Sequence, residues 1–437
     1  MKKSVIYVFV LIALLVLPGF AQNSIDNLFT SMQFKDKAAG HVKKLSEIGI
    51  RPAGSQEEKQ AALYIKKQLE AIGLKTVVED FEFETFEFSN CRFQLGKEKF
   101  NIELLGFNPY DKVMNFSGNA YLYDPSTHIQ GDEIENKTVV TTTPANYFQL
   151  MSLNPKMIIF LSPEDFKNAK ALNVSDFSLQ VNGKLKKEKS SNVTALLSSP
   201  ANATQEIIIT AHYDSYRNSP GANDNATGTA ALIELARLFF SQKDKLSCNI
   251  RFVSFGCEEV GLLGSRKYLK KHSDDLNNCV LLFNVDTVGG DSEIYAEMLG
   301  GISTEFSERG IHHFPEYLMD KAWDSRSGKW MIMKPEILAP LFTASFVPDR
   351  VKEAIEATGR ELQIKINPAK GLFSDQRIFA QAGIPSSGVA QKTGSKIIHS
   401  PDDIFSNVNI DLVEKAGKIC YSVVFKIMSS LEEERKR

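Results

Sequence analysis

The stretch IIITAHYDSYRNSPGANDNATGTAALIELARLFF, residues 207–240, predicts a strand, a polar turn and a helix in immediate succession. The isoleucines at 207–209 form the short apolar run that is typical of a strand buried on both faces. Further along, Ala231, Leu235 and Leu238 recur at helical spacing and give a helix one apolar face. A buried strand that leads into an amphipathic helix is the repeating unit of α/β folds.

The same alternation continues on both sides of this stretch. Strands are predicted at 76–86, 249–255, 279–285 and 385–390, and helices at 32–48, 55–72, 227–242, 264–272, 374–381 and 411–434. Ser55 and Glu58 have the pattern of a capping box, and Gly73 follows as a helix stop. The sequence therefore predicts an α/β fold, with a central, mostly parallel (mixed) sheet flanked by helices on both faces.

Two segments interrupt the alternation. Residues 88–190 alternate polar and aromatic side chains, which predicts a small β-rich insert between the two parts, 22–87 and 191–437, of the main domain. The lysine-rich segment 184–189 at its end is predicted to be a solvated loop or hairpin. Residues 291–350 fit neither pattern and contain both tryptophans and the pair His312-His313.

The N-terminus has the features of a signal peptide. Two lysines precede an apolar run at 5–17, and small residues follow at the offset expected for cleavage after Ala21. The run is too short to cross a hydrocarbon layer of about 30 Å comfortably. We therefore expect residues 1–21 to be removed from a chain that a bacterium exports to the periplasm or the medium, with no membrane attachment afterwards.

Charge and cysteine content exclude some classes of protein. The 437 residues carry 51 Lys and Arg against 53 Asp and Glu, a formal charge of −2. The chain lacks the excess of basic residues that is typical of nucleic-acid-binding proteins, so no nucleic-acid partner is expected. The five cysteines match no zinc-ribbon spacing, and Cys248, Cys257 and Cys279 lie in or beside apolar runs where we expect them to be buried. The sequence indicates neither a disulfide pairing nor an oligomeric state.

Two histidines and four carboxylates lie where predicted strands end or loops begin, which is where α/β sheets build their sites. They are His212, Asp224, Glu258, Glu259, Asp286 and His399. Taken singly, each has an ordinary interpretation, such as a polar strand end, a helix N-cap or an exposed acidic turn. Together they favour a hydrolytic site with two metal ions, because imidazoles and carboxylates are the ligands that zinc prefers.

Glu258 and Glu259 are the most specific of these candidates. Two adjacent carboxylates directly after a buried strand are costly unless they are paired or bound to metal. Neighbours in a non-helical turn point in different directions, so one can bind a metal while the other accepts a proton from water. Asp214, two residues after His212, could hold the second ring nitrogen of that histidine.

Several motifs resemble those of the exported two-zinc aminopeptidases of the bacterial leucyl-aminopeptidase type. They are the segment 212–228, EEVGLLGS at 258–265, NVD at 284–286, HSPDD at 399–403, RPAGS at 51–55, Ser374-Asp375 and GIP at 383–385. The likeness covers roughly residues 30–85 and 190–437. It implies the phosphorylase/hydrolase-like fold of the zinc exopeptidases, with the insert at 88–190 as a degenerate protease-associated domain.

The resemblance implies an aminopeptidase that acts on peptide substrates with two Zn²⁺ per chain. It assigns the expected ligands to two ions: His212 and Asp286 to one, Glu259 and His399 to the other, and Asp224 to both. Glu258 would be the general base, and Asp214 would orient His212. Residues 291–350 follow Asp286 and are rich in aromatic side chains, so we expect them to form a wall or lid of the substrate pocket.

Three other functions stay open at this point. A glutaminyl cyclase shares the His-Tyr-Asp and Glu-Glu elements but binds one zinc and closes a ring, whereas the loop at 221–228 and GLLGS at 261–265 are more similar to the aminopeptidases. A carboxypeptidase or dipeptidase on the same scaffold would differ in pocket residues that the sequence does not identify. A non-catalytic binding module would lack ligands or the base, and all six positions are filled here.

Overall fold

The fold is seen in a computed structural model of the whole chain. It describes residues 18–111, 114–127, 133–143, 147–151, 153–201, 203–290, 293–299, 320–324, 330–332, 345–369, 372–391 and 397–436. Most of the predicted signal peptide, the pair His312-His313 and most of 291–350 lie outside these residues. Within them, no helix is both long enough and apolar enough to cross a membrane.

Helices and strands alternate through most of the described chain. The helices are α1 (Pro18–Ser31), α2 (Phe34–Ile48), α3 (Gln56–Ile72), α4 (Tyr147–Met151), α5 (Pro163–Ala171), α6 (Thr227–Ser241), α7 (Leu263–Lys271), α8 (Asp349–Leu362), α9 (Gln376–Gln381) and α10 (Ile410–Lys436). The strands are β1 (Lys75–Leu95), β2 (Glu98–Phe100), β3 (Ile102–Gly106), β4 (Asn115–Leu122), β5 (Thr138–Thr141), β6 (Met157–Leu161), β7 (Asp176–Leu197), β8 (Glu206–His212), β9 (Asn249–Phe255), β10 (Cys279–Val285), β11 (Ile294–Glu297), β12 (Trp330–Met331), β13 (Asn367–Ala369) and β14 (Ser386–Gln391).

The centre of the sheet is parallel and its flanks are mixed. β8 lies between β9 and β10 and runs parallel to both, and β14 runs parallel to β10. Antiparallel strands, β7 beside β9 and β11 beside β14, flank these four. Helices pack on both faces, so the predicted α/β fold with a central, mostly parallel sheet is confirmed.

Alternate residues of the central strands enter two different apolar cores. Ile207 and Ile209 of β8 pack into the core that also contains residues of α2, α3, α6 and α10. Ile208 points to the other face and joins the core with residues of α7 and α9. Burying such a side chain is worth roughly 1.5–3 kcal/mol, and because both faces are covered the strand needs an unbroken apolar run.

The region predicted as an insert is joined to the main sheet by two long strands. β1 and β7 pair antiparallel from Lys75 opposite Leu196 to Leu95 opposite Phe177, and they cross both predicted boundaries, 88 and 190. β3, β4, β5 and β6 extend the sheet beyond β7, and α4 and α5 belong to the same region. The division into a catalytic domain and an insert therefore stays a proposal.

The prediction of a solvated loop or hairpin at 184–189 is wrong. This segment is the exposed middle of β7, opposite glutamates of β1. Lys184 forms an ion pair with Glu87 at 3.1 Å, and Lys189 pairs with Glu82 at 3.5 Å. Cross-strand pairs of opposite charge favour strand pairing without burial, and a single strand read alone does not show its partner.

Two smaller differences concern the first helices and the cysteines. The predicted helix at 32–48 begins at Phe34, because Gln33 has a left-handed backbone (φ 55°) that separates α2 from α1. Gly73 ends α3 in the left-handed conformation, as predicted. All five cysteines lie among the described residues, none forms a disulfide, and Cys248, Cys257 and Cys279 are buried as expected.

Candidate active site

Four parallel strands deliver the candidate residues to one edge of the sheet. His212 is the last residue of β8, and Asp286 directly follows β10. Glu258 and Glu259 follow the end of β9, and His399 comes after β14 in the chain. Because the carboxyl ends of parallel strands meet at the same edge, these side chains come close together.

Asp224 reaches the same place from the irregular turn before α6. The carboxylate of Asp403 accepts hydrogen bonds from the backbone N–H groups of Asn223, at 2.6 Å, and Asp224, at 3.1 Å. The side chain of Asn225 donates to the carbonyl oxygen of Val285 at 3.0 Å. The backbone on both sides of Asp224 is therefore fixed, and its buried carboxylate is held at the ends of β8 and β10.

Five of the six residues, all except Glu258, form two groups of ligand atoms that share Asp224. His212 Nε2 lies 3.2 Å from Asp224 Oδ1 and 3.4 Å from Asp286 Oδ1. His399 Nε2 lies 3.1 Å from Asp224 Oδ2 and 3.2 Å from Glu259 Oε2. Each oxygen of Asp224 thus faces a different histidine, and one further carboxylate oxygen, of Asp286 or Glu259, lies within 3.4 Å of each histidine's Nε2.

These distances fit the spacing of ligands around zinc. With zinc–ligand bonds of about 2.1 Å, two ligand atoms of a tetrahedral site lie about 3.4 Å apart. In addition, Glu259 Oε1 and Asp286 Oδ1 are buried and accept no hydrogen bond among the described residues. Buried acceptors without a donor are rare in proteins, and a cation would satisfy both. The donor set, imidazole nitrogen and carboxylate oxygen, suits zinc.

The charge of this cluster also favours a cation. Burial alone would lower the pKa of His212, but Asp286 and Glu258 raise it well above its ordinary value. Burial raises the pKa of Glu259 to about 7, with a contribution from the carboxylate of Asp224. The cluster therefore needs positive charge, which protons or bound metal ions can provide, and the metal ions displace the protons.

Glu258 lies beside the His212 group and is not required as a ligand in either group described above. One of its carboxylate oxygens is within 4.8 Å of the ligand atoms of His212 and Asp286. Burial raises the pKa of Glu258 well above its usual range, and the carboxylates of Glu259 and Asp375 add to this effect. A partly buried carboxyl that binds a proton readily, next to candidate metal ligands, is suited to proton transfer.

Asp214 connects the two halves of the site. Its Oδ1 lies 3.4 Å from His212 Nδ1, the ring nitrogen opposite the ligand atom. The same carboxylate accepts the backbone N–H groups of Glu258, at 3.0 Å, and Glu259, at 3.1 Å. Asp214 is fully buried, so it is placed both to orient His212 and to fix the turn that carries the two glutamates.

The sequence did not predict the contacts that Arg51 makes with the site loop. Its buried guanidinium donates to five backbone carbonyl oxygens at 2.7–3.1 Å, those of Leu45, Gly49, Tyr213, Pro220 and Gly221. The last three belong to the loop between His212 and Asp224. The motif RPAGS was noticed only through resemblance, and no local pattern in it predicts contacts with a loop more than 160 residues away.

Trp323 and Asp324, in a described part of 291–350, lie close to the site. Trp323 donates its backbone N–H to Val260 O at 2.7 Å, and a Cβ atom on Gly261 would lie 2.7 Å from its ring. Asp324 forms an ion pair with Arg217 at 3.4 Å. The turn after Glu259 is therefore covered by this segment, and its function as a wall or lid of a substrate pocket stays a proposal.

Comparison with known proteins identifies the family of the chain. A model of peptidase family M28 matches residues 192–317 and 340–424. The chain belongs to this family. All seven predicted site residues lie inside the matched segments, and residues 51–55 and the whole predicted insert, 88–190, lie outside them. The resemblance noted from the motifs is confirmed at the level of the family, and so is the prediction that the protein is a hydrolytic enzyme, a peptidase.

The M28 chain is similar in sequence and in fold to proteins that are named aminopeptidases. It is 28% identical to aminopeptidase YwaD of Bacillus subtilis (strain 168), with 96% of this chain and 90% of the relative covered. Over 44% of the chain it is 30% identical to leucine aminopeptidase 2 of Trichophyton rubrum, covering 42% of that protein. Its fold is similar to that of an aminopeptidase from Aneurinibacillus sp. strain AM-1, with a TM-score of 0.65, 20% identity, and 92% and 95% of the two chains covered.

A second solved structure has a similar fold. It is a zinc aminopeptidase from Bacillus subtilis, with a TM-score of 0.59, 20% identity, and 90% of this chain and 95% of that one covered. At this identity the likeness concerns the fold, and it agrees with the mixed sheet flanked by helices described above.

Proposed function

We propose that this M28 peptidase is an aminopeptidase that uses two zinc ions per chain to remove N-terminal residues from peptides. The observation that carries the proposal is the position of Asp224, whose two carboxylate oxygens face His212 Nε2 at 3.2 Å and His399 Nε2 at 3.1 Å. Its relatives are named aminopeptidases, and one of the similar structures is that of a zinc aminopeptidase.

The chain offers a separate set of ligands for each ion. His212 and Asp286 would hold one zinc, His399 and Glu259 the other, and Asp224 would bridge them. Bound there, the two ions would polarise the scissile carbonyl and lower the pKa of the attacking water. The site lies beyond the carboxyl ends of the parallel strands, which is where α/β sheets bind their ligands.

The residues around the ligands supply the rest of the chemistry. Glu258 accepts a proton from the attacking water and returns it to the leaving amine. Asp214 keeps His212 in one ring orientation and holds the backbone of Glu258 and Glu259. The two adjacent glutamates therefore have separate functions: Glu259 is a ligand and Glu258 is the general base.

The glutaminyl cyclase alternative is not favoured. Such an enzyme binds one zinc, whereas the M28 chain has two groups of ligand atoms that share Asp224. The export of the chain after removal of residues 1–21, and its division into a catalytic domain and an insert, belong to the same proposal. They rest on the N-terminal pattern and on the change of sequence character at 88–190.

A panel of substrates tests the proposal. Purified enzyme is assayed on amino-acid arylamides with a free amino group, on the same compounds with the amino group acetylated, and on peptides that begin with glutamine. We expect hydrolysis of the free-amine compounds only, its loss with a chelator and its return with added zinc. Cleavage of the acetylated compounds, or cyclisation of N-terminal glutamine with one zinc per chain, would contradict the proposal.

A further inference from the structure

The turn that carries Glu258 is held by two buried carboxyl groups, those of Glu58 and Asp214, which come from distant parts of the chain. Three consecutive backbone N–H groups of this turn donate hydrogen bonds to their oxygens. Cys257 N donates to Glu58 Oε1 at 3.1 Å, and the N–H groups of Glu258 and Glu259 donate to Asp214 at 3.0 and 3.1 Å. The turn begins where β9 ends, so its backbone N–H groups use side-chain acceptors in place of strand partners.

Glu58 is buried, and both of its carboxyl oxygens accept hydrogen bonds. It lies in the first turn of α3 and is 2% exposed. Its Oε1 also accepts the Ser190 hydroxyl at 2.7 Å, and its Oε2 accepts the backbone N–H of Gly54 at 2.7 Å. One carboxyl group therefore joins the start of α3 and a residue of β7 to the turn after β9.

The turn has little room to adopt another conformation. A Cβ atom on Gly256 would lie 2.5 Å from Ser190 Oγ and 2.9 Å from Glu58 Oε1, so only glycine fits there. Cys257 has a left-handed backbone with φ 56°, which is unfavourable for a residue with a side chain and needs support from its surroundings. The hydrogen bond from Cys257 N to Glu58 is part of that support.

The conformation of Cys257 determines where the next side chains go. Directly after it the two glutamates diverge: Glu259 Oε2 lies 3.2 Å from His399 Nε2, while Glu258 lies on the side of His212 and Asp286. Asp214 fixes the N–H groups of both glutamates, whereas Glu58 fixes the peptide group that precedes Glu258.

We propose that Glu58 is a positioning residue for the general base, because its carboxyl oxygen holds the Cys257–Glu258 turn in the conformation that directs Glu258 to the attacking water. The inference rests on the proposed function, since it gives Glu58 a purpose only if Glu258 transfers the proton. The important property is the acceptor oxygen at Oε1. A glutamine provides the same acceptor, and an unbranched apolar side chain of similar length does not.

The test compares three variants with the wild type. Glu58→Met removes the acceptor, Glu58→Gln keeps it, and Glu57→Gln removes a charge from the same helical turn without touching Cys257. Zinc content, KM and kcat are measured for each on an arylamide substrate. For Glu58→Met we expect kcat to fall about ten- to a hundredfold, because small displacements of a catalytic group are costly. We expect its KM and zinc content to stay near the wild-type values, and Glu58→Gln and Glu57→Gln to retain most of kcat.

Other results would overturn the inference. Wild-type kcat in Glu58→Met, or a joint loss of zinc and kcat, would show that Glu58 does not act through the general base. If Glu58→Met does not fold, Glu58→Asp, which withdraws the carboxyl by one methylene, is judged by the same criteria. Glu258→Gln is assayed in parallel. If that variant is fully active, the proposed function fails, whereas an inactive Glu258→Gln beside a fully active Glu58→Met overturns the positioning inference alone.

Discussion

The ring of Tyr216 lies flat against the ring of His399, with centroids 4.2 Å apart and 14° between the planes. The guanidinium of Arg217 lies 4.0 Å from the centroid of the same tyrosine. The His399 side chain is 45% exposed, whereas that of His212 is 1% exposed. Stacking on Tyr216 therefore restricts the orientation of the His399 ring, whereas burial restricts that of His212.

Removing this stack should weaken one metal site. We expect Tyr216→Ala to reduce the affinity for the zinc at His399 by about 10–100-fold, the usual effect of losing a residue that orients a ligand. Tyr216→Phe keeps the ring and serves as the control. Zinc retained per chain is measured against a graded competing chelator, and equal retention in Tyr216→Ala and the wild type would mean that the stack does not support the ligand.

The position of Asp224 between two histidines predicts a difference between two ligand substitutions. Asp224→Ala removes a neighbour of both His212 and His399, so both zinc ions should be lost together. Asp286→Ala removes a neighbour of His212 alone, so one zinc should be lost at a lower chelator concentration than the other. Metal analysis along a chelator series distinguishes these patterns, and retention of two ions by Asp224→Ala would remove this residue from the site.

Arg51 should contribute strongly to stability because its guanidinium donates to five carbonyl oxygens in the interior. Lysine cannot reproduce that forked geometry, and the carbonyls left without donors cost free energy. We expect Arg51→Lys to lower the free energy of unfolding by about 2–4 kcal/mol. Urea denaturation measures the change, with exposed Arg92→Lys as the control. A loss no larger than that of the control would show that these bonds are replaceable.

Glu58 should make stability depend on pH. Burial, followed by the nearby Asp214, raises the pKa of Glu58 from 4.5 to about 8 in the folded chain. Between these values the folded state holds a proton that the unfolded state has released, so the contribution of Glu58 to stability falls as pH rises and levels off above about 8. Glu58→Gln lacks this titration.

A comparison of the two metal-free proteins tests this dependence. At pH 5 they should be similarly stable, and by pH 8 the glutamine variant should be the more stable by a few kcal/mol, since each unit of pKa shift is worth about 1.4 kcal/mol. Unfolding in urea at a series of pH values measures the difference. A difference that stays constant from pH 5 to pH 8, or one that changes in the opposite direction, would contradict the raised pKa.

The central strands could be predicted closely from the sequence. The predicted strands at 249–255 and 279–285 have the same bounds as β9 and β10. β10 is buried along its whole length and is apolar except for Asn284, and β9 is buried from Phe252 to Phe255, so both strands contain a short, mostly apolar run with clear ends. β1 and β7 could not be predicted in this way, because their exposed middle is held by pairs such as Lys184 with Glu87, and such pairs depend on a register that no single segment contains.

For the site, the sequence predicted which residues meet but not what holds them. Ligands at strand ends converge because the topology brings those ends together, and this follows from the order of elements. Glu58 is an example of a contact that the sequence did not predict. Only one half of the predicted capping box forms, the hydrogen bond from Glu58 N to Ser55 Oγ at 3.0 Å. The carboxyl group of Glu58, however, turns to Cys257, 199 residues further along the chain.

Zinc content and turnover, measured together in the wild type and in Glu258→Gln, test the proposed site most directly. The substitution removes the group that accepts the proton and leaves all five proposed ligands in place. We predict two zinc ions per chain in both proteins and a kcat about 10²–10⁴-fold lower in the variant, the usual contribution of a general base. One zinc per chain in the wild type, or full turnover in Glu258→Gln, would contradict the two-metal site with Glu258 as its base.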